Sequence, residues 1–511
     1  QDYDDYLKIN PGNDVIVAGK AECFSKMGKN EDALKTYANA LTLNPKSIYT
    51  LINRGNFFTG HNKYDEAAAD FTAAINIDPK NREARNNRAN MFYYQKKYDL
   101  ALSDYTTLLL LDPQNVSAFF NRGNTYRQQN NFSAAIADYT QAIALNKSLS
   151  NVWRECGTAY LSINKNDSAR YCLDEALRID PKDTAALTNR GLAWYNQKRY
   201  ERAVADFAEA LKLNPSYHLA RNNRGTAYLK WGRYDLALAD FNDVLKIDPG
   251  NTDALDGRGN VYARQKRNAL ALKDYNEALR IDPKHTNALN NLGNLYVVQE
   301  QYEDAMNCYR RMLGADPKNK VALFNIGNAY DMIAVFDSAV YYANEILRID
   351  ADNASALNLR AASQFHSGNT ETALKDIDKA LSIDPQVKEA LNTRGMMYAW
   401  AGAYDSAIIL CTKALKMDTN YAEALNNRTL VYYNQGSHEL AIKDYLKAMT
   451  IDVDNSRLII NLILVYLASD QFDKASVQYN AYREKKLKGY IEAARSFNFL
   501  GKYITACTDY I

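Results

Sequence analysis

The sequence predicts an all-α fold in which antiparallel helix pairs stack one after another in a single array. The first observation that predicts it is a 34-residue period, on which all ten prolines of the chain fall. The second is that position 20 of this period is alanine in all fourteen complete repeats, when the proline is counted as position 32. The third is that each repeat reads as two amphipathic helices. One such hairpin cannot bury its apolar face alone, so neighbouring repeats must share a core.

The seventh repeat, residues 218–251, shows the pattern most clearly. A first helix is predicted over Ala220–Trp231 and ends at Gly232, and a second is predicted over 234–247. The second helix ends just before Pro249, because proline lacks a backbone N–H and disfavours the α conformation of the residue before it. Small residues at positions 8 and 20 allow the two helices to approach closely, while aromatic residues fill the space beside them.

The repeat resembles the tetratricopeptide repeat (TPR) family. The resemblance rests on the 34-residue period, a small residue at position 8, aromatic residues at positions 11, 17 and 24, alanine at 20 and proline at 32. It implies a right-handed superhelical solenoid whose concave groove is lined by the first helices and binds peptides or proteins. TPR domains that bind the acidic tails of heat-shock chaperones use a lysine at position 5. No repeat here has lysine at that position, so this activity is not expected.

Taken in order, the chain divides into three parts. Residues 1–13 match only the second helix of a repeat, residues 14–489 form fourteen TPR repeats, and residues 490–511 match only the first helix of a fifteenth. The sequence therefore begins with an orphan second helix and ends with an orphan first helix.

These two half repeats suggest self-assembly. If they complete one repeat between successive molecules, the contact is heterologous and head-to-tail, and such a contact gives an open filament when it does not close. The candidate junction residues are Tyr3, Tyr6, Leu7, Ile9, Phe497, Leu500, Tyr503, Ile504 and Tyr510. The alternatives are that the ends are cut boundaries, or that a lone terminal helix folds back on the array.

Positions 7 and 23 vary together along the repeats. Eight repeats carry arginine at position 7 and aspartate at position 23: Arg54/Asp70, Arg88/Asp104, Arg122/Asp138, Arg190/Asp206, Arg224/Asp240, Arg258/Asp274, Arg360/Asp376 and Arg428/Asp444. We interpret this as a charge-assisted contact across the hairpin that fixes helix register. For exposed pairs it would contribute only ~0–1 kcal/mol each.

The fifth repeat carries cysteine at both of these positions, Cys156 and Cys172. If positions 7 and 23 touch, the sequence predicts a disulfide bond between them. Disulfides persist in oxidising compartments, so this prediction favours a secreted, periplasmic or cell-surface location over a cytoplasmic one.

Asparagine recurs on the first helices, at positions 6 and 9. The candidate groove residues are Asn53, Asn56, Asn87, Asn90, Asn121, Asn124, Asn223, Asn260, Asn291, Asn294, Asn325 and Asn328. Amides in register offer donors and acceptors to the backbone of an extended peptide. The alternative is that they hydrogen-bond to neighbouring helices, and the sequence leaves both possibilities open.

Composition and motifs favour a non-enzymatic protein. The five histidines are scattered without metal-ligand spacing, and the sequence contains no glycine-rich phosphate loop, so no catalytic residue, metal or cofactor is predicted. A net charge of +2 does not favour nucleic acid as a partner, and no apolar run is long enough to span a bilayer. The expected partner is a protein or peptide, or further copies of the same chain. We therefore expect a self-assembling TPR scaffold, with a monomeric adaptor or the recruiting arm of a larger enzyme or secretion machinery as the alternatives.

Overall fold

The computed structural model describes residue 10, residues 12–451 and residues 456–485. Within these ranges the chain forms 28 α-helices and no strand. The chain divides into an N-terminal unit, Gln1–Lys266, and a C-terminal unit, Arg267–Ile511. The predicted all-α fold of stacked helix pairs is confirmed. Residues 1–9 and 490–511, with all nine candidate junction residues, lie outside the described residues.

Each repeat supplies a first helix of 13 residues and a second helix of 14 residues. The N-terminal unit contains α1 (Asp14–Lys26), α2 (Asn30–Leu43), α3 (Ile48–Gly60), α4 (Tyr64–Ile77), α5 (Arg82–Tyr94), α6 (Tyr98–Leu111), α7 (Val116–Gln128), α8 (Phe132–Leu145), α9 (Ser150–Ser162), α10 (Asn166–Ile179), α11 (Thr184–Asn196), α12 (Tyr200–Leu213), α13 (His218–Lys230), α14 (Tyr234–Ile247) and α15 (Thr252–Arg264). The C-terminal unit contains α16 (Asn268–Ile281), α17 (Thr286–Val298), α18 (Tyr302–Ala315), α19 (Lys320–Met332), α20 (Phe336–Ile349), α21 (Ala354–His366), α22 (Thr370–Ile383), α23 (Lys388–Trp400), α24 (Tyr404–Met417), α25 (Ala422–Asn434), α26 (His438–Ile451), α27 (Ser456–Ala468) and α28 (Phe472–Lys485).

The turn inside each repeat depends on one left-handed residue at position 15. Gly232 has a φ of 79°, and the equivalent residue has a positive φ in every one of the fourteen repeats. A left-handed residue after a helix satisfies its last carbonyl groups, and glycine adopts that conformation at the least cost. Nine repeats nevertheless use another residue there, such as Asn62 or Lys198. The hairpin geometry is therefore held by contacts beyond the turn itself.

The turn between repeats ends one helix and caps the next. In the seventh repeat, Pro249 follows Asp248, at which α14 is capped. The side chain of Asn251 then accepts a hydrogen bond from the backbone N–H of Ala254, at 3.1 Å, and donates one to Asp248. Asparagine is among the best N-cap residues, because its side chain satisfies a backbone donor in the first turn of the helix.

In twelve of the fourteen repeats position 8 is glycine or alanine, and the core of the hairpin depends on this small residue. A Cβ atom built on Gly191 in α11 would lie 2.6 Å from the ring of Phe207 in α12, which occupies position 24. Phe207 is fully buried, as is Ala203 at position 20. The aromatic ring at position 24 therefore lies directly against the backbone of the first helix. This contact explains why position 8 is small.

We predict that Gly191→Val destabilises α11 and α12. Overpacking at such a site costs ~1–3 kcal/mol, because the side chain must displace the Phe207 ring. Hydrogen exchange measured by mass spectrometry should show faster exchange in these two helices. Gly314→Val is the control, since no heavy atom lies within 4 Å of a Cβ at Gly314. Equal exchange in the two variants would contradict the close contact.

The predicted contact between positions 7 and 23 is confirmed in seven repeats, as a two-pronged ion pair. In the fourth repeat the Nε and Nη2 atoms of Arg122 donate to the two carboxylate oxygens of Asp138, at 2.8 and 2.7 Å. The same geometry joins Arg54/Asp70, Arg88/Asp104, Arg190/Asp206, Arg224/Asp240, Arg360/Asp376 and Arg428/Asp444. The pair Arg258/Asp274 spans the two units and stays a prediction.

The expectation that these are weak surface pairs is wrong. The aspartate side chains are only 5–12% exposed and the arginines 17–25% exposed. A buried charge that loses its partner is strongly destabilising. Hydrogen bonds to the partner carboxylates raise the pKa of Arg122, Arg190 and Arg224, so these guanidinium groups stay charged.

The same arginine also reaches the preceding repeat, a contact that was not predicted from the sequence. The remaining nitrogen, Nη1, of Arg428 donates to the hydroxyl of Thr412, which lies at position 25 of the repeat before it, at 2.8 Å. Equivalent contacts join Arg88 to Thr72, Arg122 to Thr106, Arg190 to Asp174, Arg258 to Asn242 and Arg360 to Asn344. Arg394, which faces Leu410 at position 23, instead pairs with Asp378 at position 25, at 3.2 Å. Position 7 therefore joins three helices from two repeats.

We predict opposite effects from removing and adding an acceptor at position 25. Thr412→Val should weaken the packing of α24 against α25, because a lost hydrogen bond to a charged donor costs ~1.5–3 kcal/mol. Ala208 occupies position 25 before Arg224, so Ala208→Thr should supply a missing acceptor and stabilise α12 against α13. Hydrogen exchange of these helices measures both effects. Changes of the same sign in the two variants would contradict the role of position 25.

Candidate functional site

The first helices form one continuous surface within each unit. In the N-terminal unit each first helix contacts the first helix of the next repeat, from α1 with α3 to α13 with α15, and α19, α21, α23 and α25 are connected in the same way in the C-terminal unit. Positions 6, 9 and 13 of a helix lie on one face, because residues three and four apart are neighbours on the helix surface. We call the surface formed by these three positions the ladder face.

In the N-terminal unit the amides of the ladder face bond from one repeat to the next. The amide nitrogen of Asn87 donates to the Oδ1 of Asn56 at 3.0 Å, and that of Asn121 donates to Asn90 at 3.1 Å. Each bond joins position 6 to position 9 of the preceding repeat. Buried tyrosines at position 24 add to the row, since Tyr139 donates to Asn124 at 2.7 Å.

In the C-terminal unit the asparagine at position 6 also bonds to the preceding repeat, but to a residue one helical turn before position 9. Asn325 donates to Asn290 at 2.9 Å and Asn427 donates to Asn392 at 3.0 Å, so position 6 is bonded to position 5 of the preceding repeat. Asn294 accepts from Tyr309 at 2.8 Å. Position 5 was not among the predicted groove positions, although asparagine recurs there. These contacts favour the second of the two possibilities left open for the asparagine rows, that of bonds to neighbouring helices.

Five of the predicted groove residues fall outside this pattern, and one of them, Asn53, lines the cavity described below. Asn223 has a buried amide nitrogen without a hydrogen-bond partner, because the preceding repeat has Leu192 where an asparagine would accept. Asn260 donates within its own helix to Asp256. Asn291 interacts with other groups of the chain, and Asn328 is half-buried.

A cavity of 260 Å³ opens on the ladder face between α1 and α3. Its lining includes the predicted residues Asn53 and Asn56 at positions 6 and 9, together with Lys26 and Gly60 at position 13. Phe57 and Tyr37 form its apolar floor, with their ring centroids 6.1 Å apart. Lys26 is paired with Glu22, which also lines the cavity, at 2.7 Å. Polar side chains above an apolar floor suit a peptide segment that carries both polar and apolar side chains.

Large apolar side chains stand exposed at position 13 of several first helices. Trp400 is 76% exposed and Val298 is 75% exposed, and both are the last residue of their helix. Tyr94 and Met332 occupy the same position and are also exposed. Phe365 supports Trp400 from the preceding repeat through an edge-to-face contact at 6.1 Å. The ladder face therefore combines amide rows with a line of projecting apolar groups.

Comparison with known families agrees with this geometry. Tetratricopeptide repeat models match residues 20–82, 52–105, 116–149, 157–218, 222–286, 262–323 and 422–455, and a TPR repeat model matches 89–130. The chain belongs to the tetratricopeptide repeat family. In a sequence search, no curated protein matches it.

Solved TPR structures resemble this TPR chain over different lengths. A tetratricopeptide repeat protein from Parabacteroides merdae ATCC 43184 is 21% identical, with a TM-score of 0.42, over 48% of this chain and 98% of that one. A chain of the APC/C hetero-tetramer Cut9-Hcn1 is 14% identical, with a TM-score of 0.44, over 87% and 95%. YrrB, a TPR protein with an unusual peptide-binding site, is 25% identical, with a TM-score of 0.31, over 36% and 95%.

The two cysteines of the fifth TPR repeat lie together and are free thiols. Their sulfur atoms are 3.7 Å apart, which is longer than the ~2.05 Å of a disulfide bond. A hydrogen bond to Cys156 and burial raise the pKa of the Cys172 thiol. The inference that positions 7 and 23 touch therefore holds in this repeat too. The disulfide itself, and the oxidising compartment inferred from it, stay predictions.

Other site classes have no support within the described ranges. No group of three or more histidine, cysteine or acidic residues there could hold a metal ion. None of the helices there combines the length and apolar character that crossing a membrane requires.

An ion pair on the ladder face of the C-terminal unit depends on pH. His366 at position 13 of α21 lies 3.7 Å from the carboxylate of Asp331 in α19, which also accepts from Ser363 at 2.7 Å. The bond to Asp331 raises the pKa of His366 above its ordinary value of 6.5. Because the folded pKa is raised, this stabilisation is fully present below pH 6.5 and is lost as the pH rises through the folded pKa.

We predict that His366→Gln destabilises α19 and α21 at pH 5.5 and has little effect at pH 8.5. At the lower pH the imidazolium is paired with Asp331, whereas at the higher pH it is neutral. Hydrogen exchange of the variant and the original protein, compared at each pH, isolates this contribution. An NMR titration of His366 gives the pKa directly, and a value at or below 6.5 would contradict the pairing.

Proposed function

We propose that this protein is a scaffold that binds an extended segment of another protein along its ladder face. The TPR fold favours a role in protein–protein interaction. The single observation that carries the finer proposal is the line of exposed apolar side chains at position 13, beside rows of hydrogen-bonding amides. Binding energy at protein interfaces concentrates in a few aromatic and other large residues, so Trp400 is the strongest candidate anchor.

The amide rows keep capacity to bind a ligand after they have bonded to each other. Each asparagine side chain has two donors and two acceptor positions. Asn56 is exposed and accepts from Asn87, and its own amide nitrogen makes no hydrogen bond within the described chain. Asn121 donates to Asn90 and keeps its oxygen available. The bonds between repeats also hold these groups in place before binding, which lowers the entropy cost of recognition.

The exposed apolar side chains at position 13 lie on separate helices, and the distance between them is set by the repeat length and not by the turns of a single helix. Val298 and Met332 lie one repeat apart, and Trp400 lies two repeats after Met332. A partner segment that meets these side chains must be extended or carry apolar residues at matching intervals. This arrangement favours a long partner segment over a compact small molecule, for which a single enclosed pocket is typical.

We predict that peptides selected by phage display against the full chain depend on Trp400. Peptides that bind the C-terminal unit should lose at least ~1.4 kcal/mol of binding free energy, which is tenfold in Kd, on Trp400→Ala. The control is Tyr341→Ala, because Tyr341 is exposed at position 22 of the second helix α20. Fluorescence anisotropy with the selected peptides measures the affinities.

Two results would contradict peptide binding by the ladder face. Peptides that tolerate Trp400→Ala and lose affinity on Tyr341→Ala would place recognition on the second helices. A library that yields no binder at any salt concentration would count against peptide recognition by the ladder face.

Head-to-tail assembly through the half repeats is the second candidate. It is supported by the complementary motif positions of residues 1–13 and 490–511. The recruiting arm of a larger enzyme or secretion machinery is a third reading, which requires further domains.

We predict that removing residues 1–13 abolishes any rods that the pure protein forms, because the junction loses the second helix that completes it. Negative-stain imaging detects rods, and circular dichroism should show nearly unchanged helix content. Rods that persist after the truncation would contradict the junction.

A further inference from the structure

The turn of the sixth repeat carries a second cavity, away from the ladder face. It has a volume of 450 Å³, and its lining consists of Asp167, Arg170, Trp194, Gln197, Arg199 and Arg202. Asp167 and Arg170 come from α10 of the fifth repeat, Trp194 from α11, and Arg202 from α12, while Gln197 and Arg199 lie in the turn between α11 and α12. None of these residues occupies position 6, 9 or 13. The cavity therefore belongs to a separate surface.

The indole ring of Trp194 organises this cavity. The guanidinium carbon of Arg170 lies 4.0 Å from the ring centroid, and that of Arg202 lies 4.6 Å from it. A cation over an indole ring is attracted to its π-electrons, and tryptophan is the strongest partner for such a contact. Trp194 thus holds two arginines that would otherwise repel each other, and both border the same cavity.

Arg170 is held in place by a closed set of hydrogen bonds. Its Nη1 atom donates to Asp167 at 3.1 Å and to Gln197 at 3.0 Å, and the amide of Gln197 donates to Asp167 at 2.9 Å. The Nε atom of Arg170 is buried and has no hydrogen-bond partner in the described chain. Arg170, which lines the cavity, therefore keeps one buried donor without an acceptor.

The cavity has an excess of positive charge. Three arginines and one aspartate line it, and Asp167 is already bonded to Arg170 and Gln197. Arg199 and Arg202 are exposed and have no carboxylate within 4.0 Å among the described residues. The arginines at position 7 are different, since each of the seven confirmed pairs satisfies its guanidinium with a buried aspartate.

We propose that this cavity binds two neighbouring carboxylates from an acidic segment of a protein partner. The planar guanidinium group presents donors in a fork that matches a carboxylate. Arg199 and Arg202 provide two such forks with no carboxylate partner among the described residues. The cavity volume lies in the range of ~300–1,000 Å³ that is typical of specific ligand sites, which is more than one carboxylate fills. The three arginines surround one cavity, so they do not by themselves form the extended basic surface that nucleic acid requires.

The test uses the full-length protein and a blocked tetraglutamate peptide, acetylated and amidated at its ends. Isothermal titration calorimetry should detect one site at low salt, with an affinity that falls as salt rises. Arg199→Gln should weaken binding at least tenfold. The matched control is Arg233→Gln, because Arg233 occupies the same position 16 in the next repeat and lies 5.3 Å from the ring of Trp231. Asp167→Asn should strengthen binding, since it removes the one negative charge of the cavity.

NMR locates the binding site independently of affinity. The chain has only four tryptophans, so the indole N–H signal of Trp194 can be assigned with Trp194→Phe. Tetraglutamate should shift this signal, and blocked tetraglutamine should not.

Three results would overturn the proposal. Equal loss of affinity in Arg199→Gln and Arg233→Gln would show that tetraglutamate responds to the overall positive charge of the protein and not to this cavity. An unmoved Trp194 signal at saturating tetraglutamate would place binding elsewhere. A shift produced by inorganic phosphate but not by tetraglutamate would make the cavity a site for free oxyanions and not for an acidic segment.

Discussion

The arginine at position 7 is the constraint on which the rest of this structure depends. Its Nε and Nη2 atoms bond to the aspartate of its own second helix, and in most of these repeats its Nη1 atom bonds to an oxygen at position 25 of the preceding repeat. The planar guanidinium group fixes the angles between these bonds. A shift of one helix against another would leave a buried aspartate without its partner, which is strongly destabilising. The contact thus specifies register within a repeat and between repeats.

Register matters for function because the ladder face is assembled from separate helices. Asn87 reaches Asn56, and Asn121 reaches Asn90, only if successive first helices are aligned to within a fraction of a helical turn. Within the C-terminal unit, alignment of the first helices places the exposed side chains of Val298, Met332 and Trp400 along one face. The Trp194 cavity also depends on the packing between repeats, because its arginines come from two of them. The proposed binding surfaces are therefore consequences of the packing between repeats, and no loop is inserted to build them.

Much of the fold could be predicted from the sequence. A strict period with an invariant small residue indicates a repeated hairpin, and the joint variation of positions 7 and 23 revealed their contact, as the pair Arg122 and Asp138 confirms. The third bond of that arginine was missed, because the residues at position 25 that accept it vary among threonine, asparagine and aspartate. All of these carry a side-chain oxygen, and that shared property was the signal. From the sequence, the residue that ends the first helix was recognised only at Gly232. Nine of the fourteen repeats have a residue other than glycine at this position, so glycine alone does not mark the left-handed turn.

The candidate sites were harder to predict than the fold. Asparagine rows were found by position, but a sequence cannot show that the partner of position 6 is position 9 in one unit and position 5 in the other, because this depends on a displacement of one helical turn. The Trp194 cavity combines residues at six different repeat positions, so no periodic pattern marks it. Cys156 and Cys172 were correctly placed in contact, while sequence alone could not give their 3.7 Å separation.

The central claim is that the arginine at position 7 and its aspartate act as one unit that fixes register. A double-mutant cycle with Arg360→Met and Asp376→Leu tests it most directly, with hydrogen exchange of α21 and α22 as the measurement. The account predicts that each single variant opens these helices, while the double variant costs less than the sum by ~1.5–3 kcal/mol, since no unpaired charge is left buried. Costs that simply add would contradict the account.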